Sequence, residues 1–289
     1  MLSSDRWTAS MQSGFSRNFH ITYFNFMKNW SIRLLLPLTA ACIILSCADN
    51  EDPGPHGLAD LTLVTHASLT NNFRIELYAD QNLFAGYNPV TVVVRDRERI
   101  LHDVSVVLEP VMTMNSMSHG CPVEQPVYDD AGTYHGAVLF TMPSGEMGFW
   151  NINATVVYRD ETFETSMPAT VEPAQPSRVL TFTGSDNENY YAGYHFTDGT
   201  KIGVNPIEIV VFRRDGDEYI PVEDLTISLT PEMPSMGHGS PNNEDPVHEG
   251  RGHYKGKVNF TMTGDWRLTL EIRRGEDLLT SRYFDIVLN

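Results

Sequence analysis

An internal repeat constrains the fold of this chain more than any other feature. Residues 86 to 94 read GYNPVTVVV, and residues 203 to 211 read GVNPIEIVV. Further matched stretches follow in the same order, and the copies end on GFWNINATV at 148 to 156 and GDWRLTLEI at 264 to 272. Each copy has the length of one small domain. The sequence therefore predicts two similar domains in tandem.

Alternation of apolar residues predicts that both copies are built from short β-strands. Five alternating positions match between the copies and define one face of a strand. They are Tyr134, Gly136, Val138, Phe140 and Met142 in the first copy and Tyr254, Gly256, Val258, Phe260 and Met262 in the second. The residues between them differ, as in a solvent-facing row: Ala137 and Leu139 correspond to Lys257 and Asn259. We predict an all-β fold of two tandem immunoglobulin-like antiparallel β-sandwiches, each with six or seven strands.

The N-terminal segment carries a predicted export signal. Two basic residues, Lys28 and Arg33, precede an apolar run at 34 to 45, which is shorter than the roughly 20 residues needed to cross a bilayer. The run ends in Ile-Leu-Ser-Cys, which resembles the lipobox of bacterial lipoproteins and predicts a lipid anchor on Cys47. Two alternatives stay open: lipidation at Cys42, or a plain signal peptide with an incidental cysteine.

An acidic segment rich in proline and glycine follows Cys47 and predicts a flexible tether. Its acidic residues resemble the signals that send some lipoproteins to the outer leaflet. We expect a protein of the cell envelope, lipid-anchored in the outer membrane on its periplasmic or surface-exposed face, with its true start at Met27. The predicted segments are 1 to 46 for an extension plus signal peptide (the signal being 27 to 46), 47 to 60 for the tether, 61 to 172 for the first sandwich, 173 to 177 for a proline-rich linker and 178 to 289 for the second sandwich.

Charge and motif content exclude several classes of function. The formal net charge is −17, so we expect no binding to the phosphate backbone of a nucleic acid. The sequence holds no nucleophile elbow, phosphate-binding glycine loop, HExxH motif or paired CxxC motif, and we expect no catalysis. Acidic stretches at 185 to 191 and 242 to 246 offer oxygen ligands, but neither has the spacing of a calcium loop.

Methionine and histidine concentrate in one matched stretch of each copy. Residues 110 to 122 read PVMTMNSMSHGCP, and residues 231 to 241 read PEMPSMGHGSP. Thioether sulfur is soft and neutral, which suits Cu(I) and not Ca²⁺, Mg²⁺ or Zn²⁺, while imidazole binds both oxidation states of copper. The candidate metal ligands are Met112, Met114, Met117, His119 and Cys121 in the first copy and Met233, Met236 and His238 in the second.

The spacing of these residues suggests how a copper site is formed. Residues two apart in an extended segment point the same way, which pairs Met117 with His119 and Met236 with His238. The unpaired Cys121 could add a thiolate, which binds Cu(I) strongly. We therefore expect copper, Cu(I) being favoured, as the bound cofactor, and a copper protein or an envelope assembly as a partner.

The matched residues resemble the YtkA-like family, to which FixH is related. The second copy carries the pattern at Pro231, Met233, Pro234, Met236, His238, Tyr254, Phe260, Met262, Gly264 and Trp266. The first copy departs from it with an extra methionine and with Cys121 in place of Ser240. The resemblance covers about 80 to 156 and 200 to 272. It implies a small extracytoplasmic β-sandwich, often encoded near copper or respiratory-oxidase genes, with no established activity.

The same residues also have a purely structural interpretation. A segment that closes one end of a sandwich needs adaptable side chains, and unbranched methionine fills irregular gaps well. Met142 and Met262 fall in the inward register and are expected in the core, and Cys121 is equally interpretable as a buried thiol. On this view the chain is an interaction module of the envelope with no metal. The histidines without a match, expected at the surface or with protein partners, are His135, His248 and His253.

Overall fold

A computed structural model describes residues 58 to 129 and 132 to 289. Within these ranges the chain consists of antiparallel strand ladders joined by turns and irregular segments. No helix in this part of the chain has the length and apolar character to span a bilayer. The all-β prediction is confirmed for these ranges, whereas the predicted signal peptide and Cys47 lie outside them.

The first sandwich-like domain has ten strands in two sheets. The strands are β1 (Thr62–Ser68), β2 (Phe73–Ala79), β3 (Gly86–Asp96), β4 (Arg99–Ile100), β5 (Ser105–Met114), β6 (Met117–Gly120), β7 (Val123–Tyr128), β8 (Tyr134–Phe140), β9 (Phe149–Tyr158) and β10 (Glu161–Ala169). The larger sheet has the order β1-β2-β3-β8-β7, with β4 paired to β3, and the smaller sheet has the order β10-β9-β5-β6. The strands beyond the six or seven predicted include β4 and β6, which are too short to show alternation.

The second sandwich-like domain repeats this topology strand for strand. Its strands are β11 (Val179–Thr183), β12 (Asn189–His195), β13 (Gly203–Asp215), β14 (Glu218–Pro221), β15 (Thr226–Met233), β16 (His238–Gly239), β17 (Glu244–Gly250), β18 (His253–Phe260), β19 (Gly264–Arg274) and β20 (Asp277–Leu288). The larger sheet has the order β11-β12-β13-β18-β17, with β14 paired to β13, and the smaller has the order β16-β15-β19-β20. The repeat in sequence is therefore a repeat in fold.

The inward faces of the two sheets form a core in each domain. Trp150 packs against Phe140 with ring centroids 5.2 Å apart, and Trp266 packs against Phe260 at 5.4 Å. All four rings are buried, and burying one such side chain stabilises a fold by about 1.5–3 kcal/mol. The matched alternating positions therefore supply large side chains to each core. These side chains lie next to the Met/His stretch of the same domain.

The row between those positions on β8 differs from its predicted exposure. Ala137 and Leu139 were expected to face solvent, but their exposed fractions are 2% and 1%. The reason is an apolar cluster that joins the two sandwiches and is built from Tyr87, Ala137, Leu139, Val210 and Phe212. We call it the junction cluster. At the matching position of the second copy, Lys257 is exposed, because the second sandwich contributes to the cluster through Val210 and Phe212 of β13.

Polar contacts complete the junction between the sandwiches. The imidazole of His253 lies between two carboxylates, with Nε2 3.0 Å from Glu124 Oε1 and Nδ1 3.0 Å from Glu208 Oε1. Tyr87 donates its hydroxyl proton to Glu124 Oε1 over 3.0 Å. The hydrogen bond to Glu124, followed by that to Glu208, raises the pKa of His253 to about 9. His253 and Glu208 belong to the second sandwich and Glu124 to the first, so this contact ties the domains together.

The Gly-x-Asn-Pro motif shared by the copies closes the loop that leads into the central strand β3 or β13. The side-chain amide of Asn88 donates to the carbonyls of Phe84 and Gly86 over 2.8 and 2.7 Å, and its oxygen accepts from the Phe84 N–H over 3.1 Å. Asn205 makes the same three bonds in the second copy. Both asparagines are buried, so each replaces water as the hydrogen-bond partner of these backbone groups.

The Tyr-x-Gly motif marks a close approach of two strands. A Cβ atom on Gly136 would overlap the carbonyl oxygen of Glu124, and one on Gly256 would lie 2.6 Å from the carbonyl oxygen of Glu244. The ladders of β7 against β8 and of β17 against β18 both shift register near this point. Glycine is required because the backbone of the irregular edge strand takes the space of a side chain.

Candidate metal centre

Each Met/His stretch forms a β-hairpin at the edge of the smaller sheet. In the first copy a tight turn joins β5, which ends at Met114, to β6, which begins at Met117. In the second copy β15 ends at Met233, residues 234 to 237 form the turn and β16 begins at His238. The hairpin geometry decides which side chains share a face.

The first hairpin brings four candidate ligands to one face. His119 lies opposite Met112, and Met117 lies opposite Met114. Cross-strand partners share a face with Cβ atoms about 4.5–5.5 Å apart, and residues two apart on a strand share it as well. Met112 also lies opposite Trp150 on β9, and the His119 ring meets the Trp150 ring edge to face, with centroids 5.5 Å apart and an interplanar angle of 90°.

The second hairpin repeats the inner part of this arrangement. His238 lies opposite Met233, and its ring is 6.4 Å from the ring of Trp266 at an interplanar angle of 78°. Met236 is in the turn, where its N–H donates to the Met233 carbonyl over 3.1 Å. The predicted alternation of Met236 with His238 therefore does not occur, because turn residues do not alternate. The methionine next to His238 in register is Met233.

Both hairpin histidines are held by the same backbone contact. His119 Nδ1 is 2.8 Å from the carbonyl oxygen of Gly120, and His238 Nδ1 is 3.0 Å from that of Gly239. A carbonyl oxygen only accepts, so Nδ1 carries the proton and the neutral ring keeps a lone pair on Nε2. Within residues 58–129 and 132–289 neither Nε2 atom has a hydrogen-bond partner. Metal-binding histidines in proteins are commonly oriented through their other ring nitrogen in this way.

The methionines of the hairpins divide into a buried and an exposed group. Met112 and Met233 are 0% and 3% exposed and belong to the two domain cores. Met117 and Met236, at the hairpin turns, are 64% and 59% exposed. Each copy thus has one buried thioether opposite the histidine on the neighbouring strand and another in solvent at the hairpin turn. The first copy adds Met114, which is half-buried.

The glycine of the shared Gly-x-Trp motif makes room for the buried methionine. A Cβ atom on Gly148 would lie 2.8 Å from Met114 Cγ and 3.1 Å from Met112 Cε. A Cβ atom on Gly264 would lie 2.9 Å from Met233 Cε. The two side chains of the first copy therefore converge on one point of the backbone. A glycine two residues before a tryptophan could have been recognised in the sequence as a sign of this close packing.

Other sulfur atoms of the chain have structural surroundings. Cys121 lies in the first core, where burial raises the pKa of its thiol well above the usual value and so disfavours the thiolate that binds metals. Met142 and Met262 are half-buried against the cores, as their register predicted. Their carbonyl oxygens accept the indole N–H of Trp150 over 2.9 Å and of Trp266 over 3.0 Å, a backbone role that the residue type does not reveal.

The histidines without a match between the copies have partners in the protein. His135 Nε2 is 2.7 Å from Asp129 Oδ2, the His248 ring is 5.1 Å from the ring of Tyr254, and His253 is held at the junction. In the part of the chain that the structure describes, no three His, Cys, Asp or Glu side chains are grouped so as to hold a metal ion. A metal centre there would depend on methionine sulfur.

The family described as YtkA-like matches residues 187–271, within the second sandwich. Among curated proteins none matches this chain. Two solved structures match the chain at low identity and low TM-score. The Escherichia coli adhesin FdeC is 13% identical at a TM-score of 0.25, and the match covers 79% of this chain and 65% of that one. Domains 5–6 of the S-layer protein SbsC are 11% identical at a TM-score of 0.27, with coverage of 79% and 98%. The chain thus spans about two thirds of the length of the adhesin chain it matches.

Proposed function

We propose that this chain is a non-catalytic lipoprotein of the cell envelope that binds Cu(I) at the Met/His hairpin of each sandwich. The observation that carries the proposal is the repeated arrangement of a buried methionine, a histidine oriented through Nδ1 and a tryptophan beside it. In a ring protonated on Nδ1, the lone pair of Nε2 is available to a metal ion. The match to the YtkA-like family over residues 187–271 agrees with an extracytoplasmic β-sandwich.

The donor set of each hairpin suits monovalent copper. Thioether sulfur and neutral imidazole are soft or borderline ligands, and they offer little to Ca²⁺ or Mg²⁺. The first hairpin would use Met112, Met114, Met117 and His119. The second has fewer donors, Met233, Met236 and His238. Cys121 is left out of the first set because it is buried as a neutral thiol.

Exposure of the turn methionines supports a role in holding and passing on copper. Met117 and Met236 project into solvent, where a thioether can capture an incoming ion or yield it to another protein. A large apolar side chain exposed at a hairpin turn contributes little to a core. A lipid anchor on Cys47 would keep both hairpins near the membrane, facing a copper protein of the envelope as the partner.

A structural interaction module is the second candidate function, and the burial of Met112 and Met233 favours it. Both thioethers complete the cores beneath Gly148 and Gly264, as any adaptable apolar side chain could. In that case the hairpins close the sandwiches, and the tandem domains present surfaces to other envelope proteins. Metal affinity distinguishes the two functions directly.

Titration with Cu(I) under anaerobic conditions, against a competing chelator, tests the proposal. We expect the full chain, purified in a mild detergent, to bind two Cu(I) ions. The double variants M117L/H119A and M236L/H238A should each lose one, since leucine keeps the apolar volume but removes the sulfur. The matched control is Met167→Leu, which replaces a buried thioether on β10 outside both hairpins and should still bind two.

The same titration can refute the copper proposal. If the wild-type chain binds no Cu(I) above the level of the chelator control, the hairpins are structural and the interaction module stands. If both double variants retain two ions and remain folded by circular dichroism, copper binds elsewhere in the chain and the hairpin assignment is wrong.

A further inference from the structure

The carbonyl oxygen of Gly120 accepts two hydrogen bonds, and one of them comes from the other sandwich. His119 Nδ1 donates to it over 2.8 Å, and the Tyr219 hydroxyl donates to it over 2.9 Å. Tyr219 lies on β14 of the second domain. The group that orients the histidine of the first hairpin is therefore itself held by a side chain 99 positions further along the chain.

An extension of one hairpin brings Tyr219 to this position. The β13–β14 hairpin closes over residues 212 to 221, where the equivalent β3–β4 hairpin of the first sandwich closes over 95 to 100. Tyr219 is in the added length and pairs with Arg214. Its ring packs edge to face on Tyr191, with centroids 5.1 Å apart and an interplanar angle of 77°. The hydroxyl is thus aimed by a rigid strand pair.

A second contact nearby keeps the distance from Tyr219 to Gly120 fixed. His253 of the second sandwich is 3.0 Å from Glu124, which lies on the strand that follows Cys121. The junction cluster covers the space beside it. The second domain therefore holds the segment from Gly120 to Glu124 at both ends, through Tyr219 and His253. Its backbone has little freedom to rotate its carbonyl groups.

The second hairpin lacks this support. The carbonyl oxygen of Gly239 accepts from His238 Nδ1 over 3.0 Å, and in the part of the chain described by the structure no other side chain donates to it. Gly239 is exposed, whereas Gly120 is half-buried. Two hairpins of the same design thus differ in whether another domain holds the carbonyl that orients the histidine.

We propose that Tyr219 is a positioning residue for the copper site of the first sandwich. By holding the Gly120 carbonyl it keeps the His119 ring in one orientation, with Nε2 free to bind metal, so the second domain strengthens binding in the first. The inference rests on the proposed function. Loss of a group that orients a ligating histidine lowers metal affinity about 10–100-fold. Tyr219 acts on His119 through the Gly120 carbonyl, one hydrogen bond further from the metal, so we expect Cu(I) affinity to fall by about ten-fold.

The test compares Tyr219→Phe in two backgrounds of the full chain. Phenylalanine keeps the ring on Tyr191 and removes only the hydroxyl. In the His238→Ala background, where the first site alone remains, Cu(I) affinity should fall about ten-fold. In the His119→Ala background, where the second site alone remains, affinity should not change. Without metal at pH 8, ¹⁵N NMR of the imidazoles should show His119 losing part of its Nδ1–H form while His238 keeps its own.

A control separates positioning from loss of stability. Tyr254→Phe removes a hydroxyl that also donates to a backbone carbonyl, that of Val222, over 2.8 Å, but at a buried place in the second sandwich that does not contact the first hairpin. It should lower the unfolding temperature and leave the His119 ring signals and both affinities unchanged.

The outcomes distinguish this inference from the proposed function. If the wild type binds copper at both sites and Tyr219→Phe leaves the first affinity and the His119 signals unchanged, Tyr219 does not position the site, although the chain still binds copper. If Tyr219→Phe or Tyr254→Phe weakens both sites alike, the effect is a general loosening and the inference is wrong. If the wild type binds no copper, both proposals fall.

Discussion

Single buried residues with several hydrogen bonds set the local geometry of this fold, and Asn205 is the clearest case. Its amide serves three backbone groups ahead of β13. We predict that Asn205→Ala lowers the free energy of unfolding by about 1–3 kcal/mol, because those groups lose a buried partner. Urea unfolding monitored by tryptophan fluorescence measures the loss.

The exposed Asn72 is the control for this substitution. Asn72→Ala should change the free energy of unfolding by less than about 0.5 kcal/mol, because its side chain is in solvent. Equal losses for the two variants would show that the buried bonds of Asn205 contribute nothing beyond asparagine's own conformational preference.

The pairing of two strands depends on a glycine where the irregular edge strand, β7 or β17, lies against β8 or β18. Gly256→Ala places a Cβ atom 2.6 Å from the carbonyl oxygen of Glu244, and backbone cannot move away as a side chain can. We predict a loss of about 1–3 kcal/mol in the free energy of unfolding. Gly120→Ala is the comparison, since its Cβ would meet the nearest atom at 3.4 Å; a loss there as large as at Gly256 would refute the steric argument. Thermal unfolding by circular dichroism serves for both.

Alternation in the sequence predicted the long strands, but it could not predict the hairpins that carry the candidate site. Residues 231 to 241 are rich in proline and glycine, yet 231 to 233 and 238 to 239 lie in strands on either side of a four-residue turn. The partner of His238 is Met233, across the turn. Such a pairing depends on where the chain reverses, and local spacing does not show this. The roles of the candidate residues as metal ligands stay a prediction.

The whole molecule should become less stable as pH rises above neutrality. The pKa of His253 is about 9 in the folded chain, against about 6.5 when unfolded. Because the folded value is higher, the contribution of the ion pairs is complete below about pH 6.5 and is lost as pH rises through about 9, a change on the order of 2–3 kcal/mol. Denaturant unfolding at a series of pH values between 6 and 10 measures it.

His253→Gln is the control for the pH prediction. Glutamine can still donate to Glu124 but does not titrate, so the variant should be less stable at pH 6.5 and lose much less stability toward pH 9.5. A wild-type profile that is flat over this interval, or parallel to that of the variant, would contradict the assignment of the pKa shift to the junction.

Contact between the domains was the largest feature missed from the sequence. The first copy has Ala137 and Leu139 where the second has Lys257 and Asn259. This difference was interpreted as ordinary variation of a solvent-facing row, but it marks the face of β8 that packs in the junction cluster. The insertion that carries Tyr219 was a second such signal. Both are differences between copies, and comparison of repeats emphasises what the copies share. Differences at matched positions are therefore where contacts between repeats can be found.

The junction cluster also bears on the evolutionary history of the chain. A gene shortened to the first copy would encode a domain with Ala137, Leu139 and Tyr87 bared to water, a surface that invites aggregation. A gene reduced to the second copy would expose Val210 and Phe212, which belong to the same cluster. Loss of either copy would therefore expose apolar surface of the other, and the two Met/His hairpins are expected to be retained together.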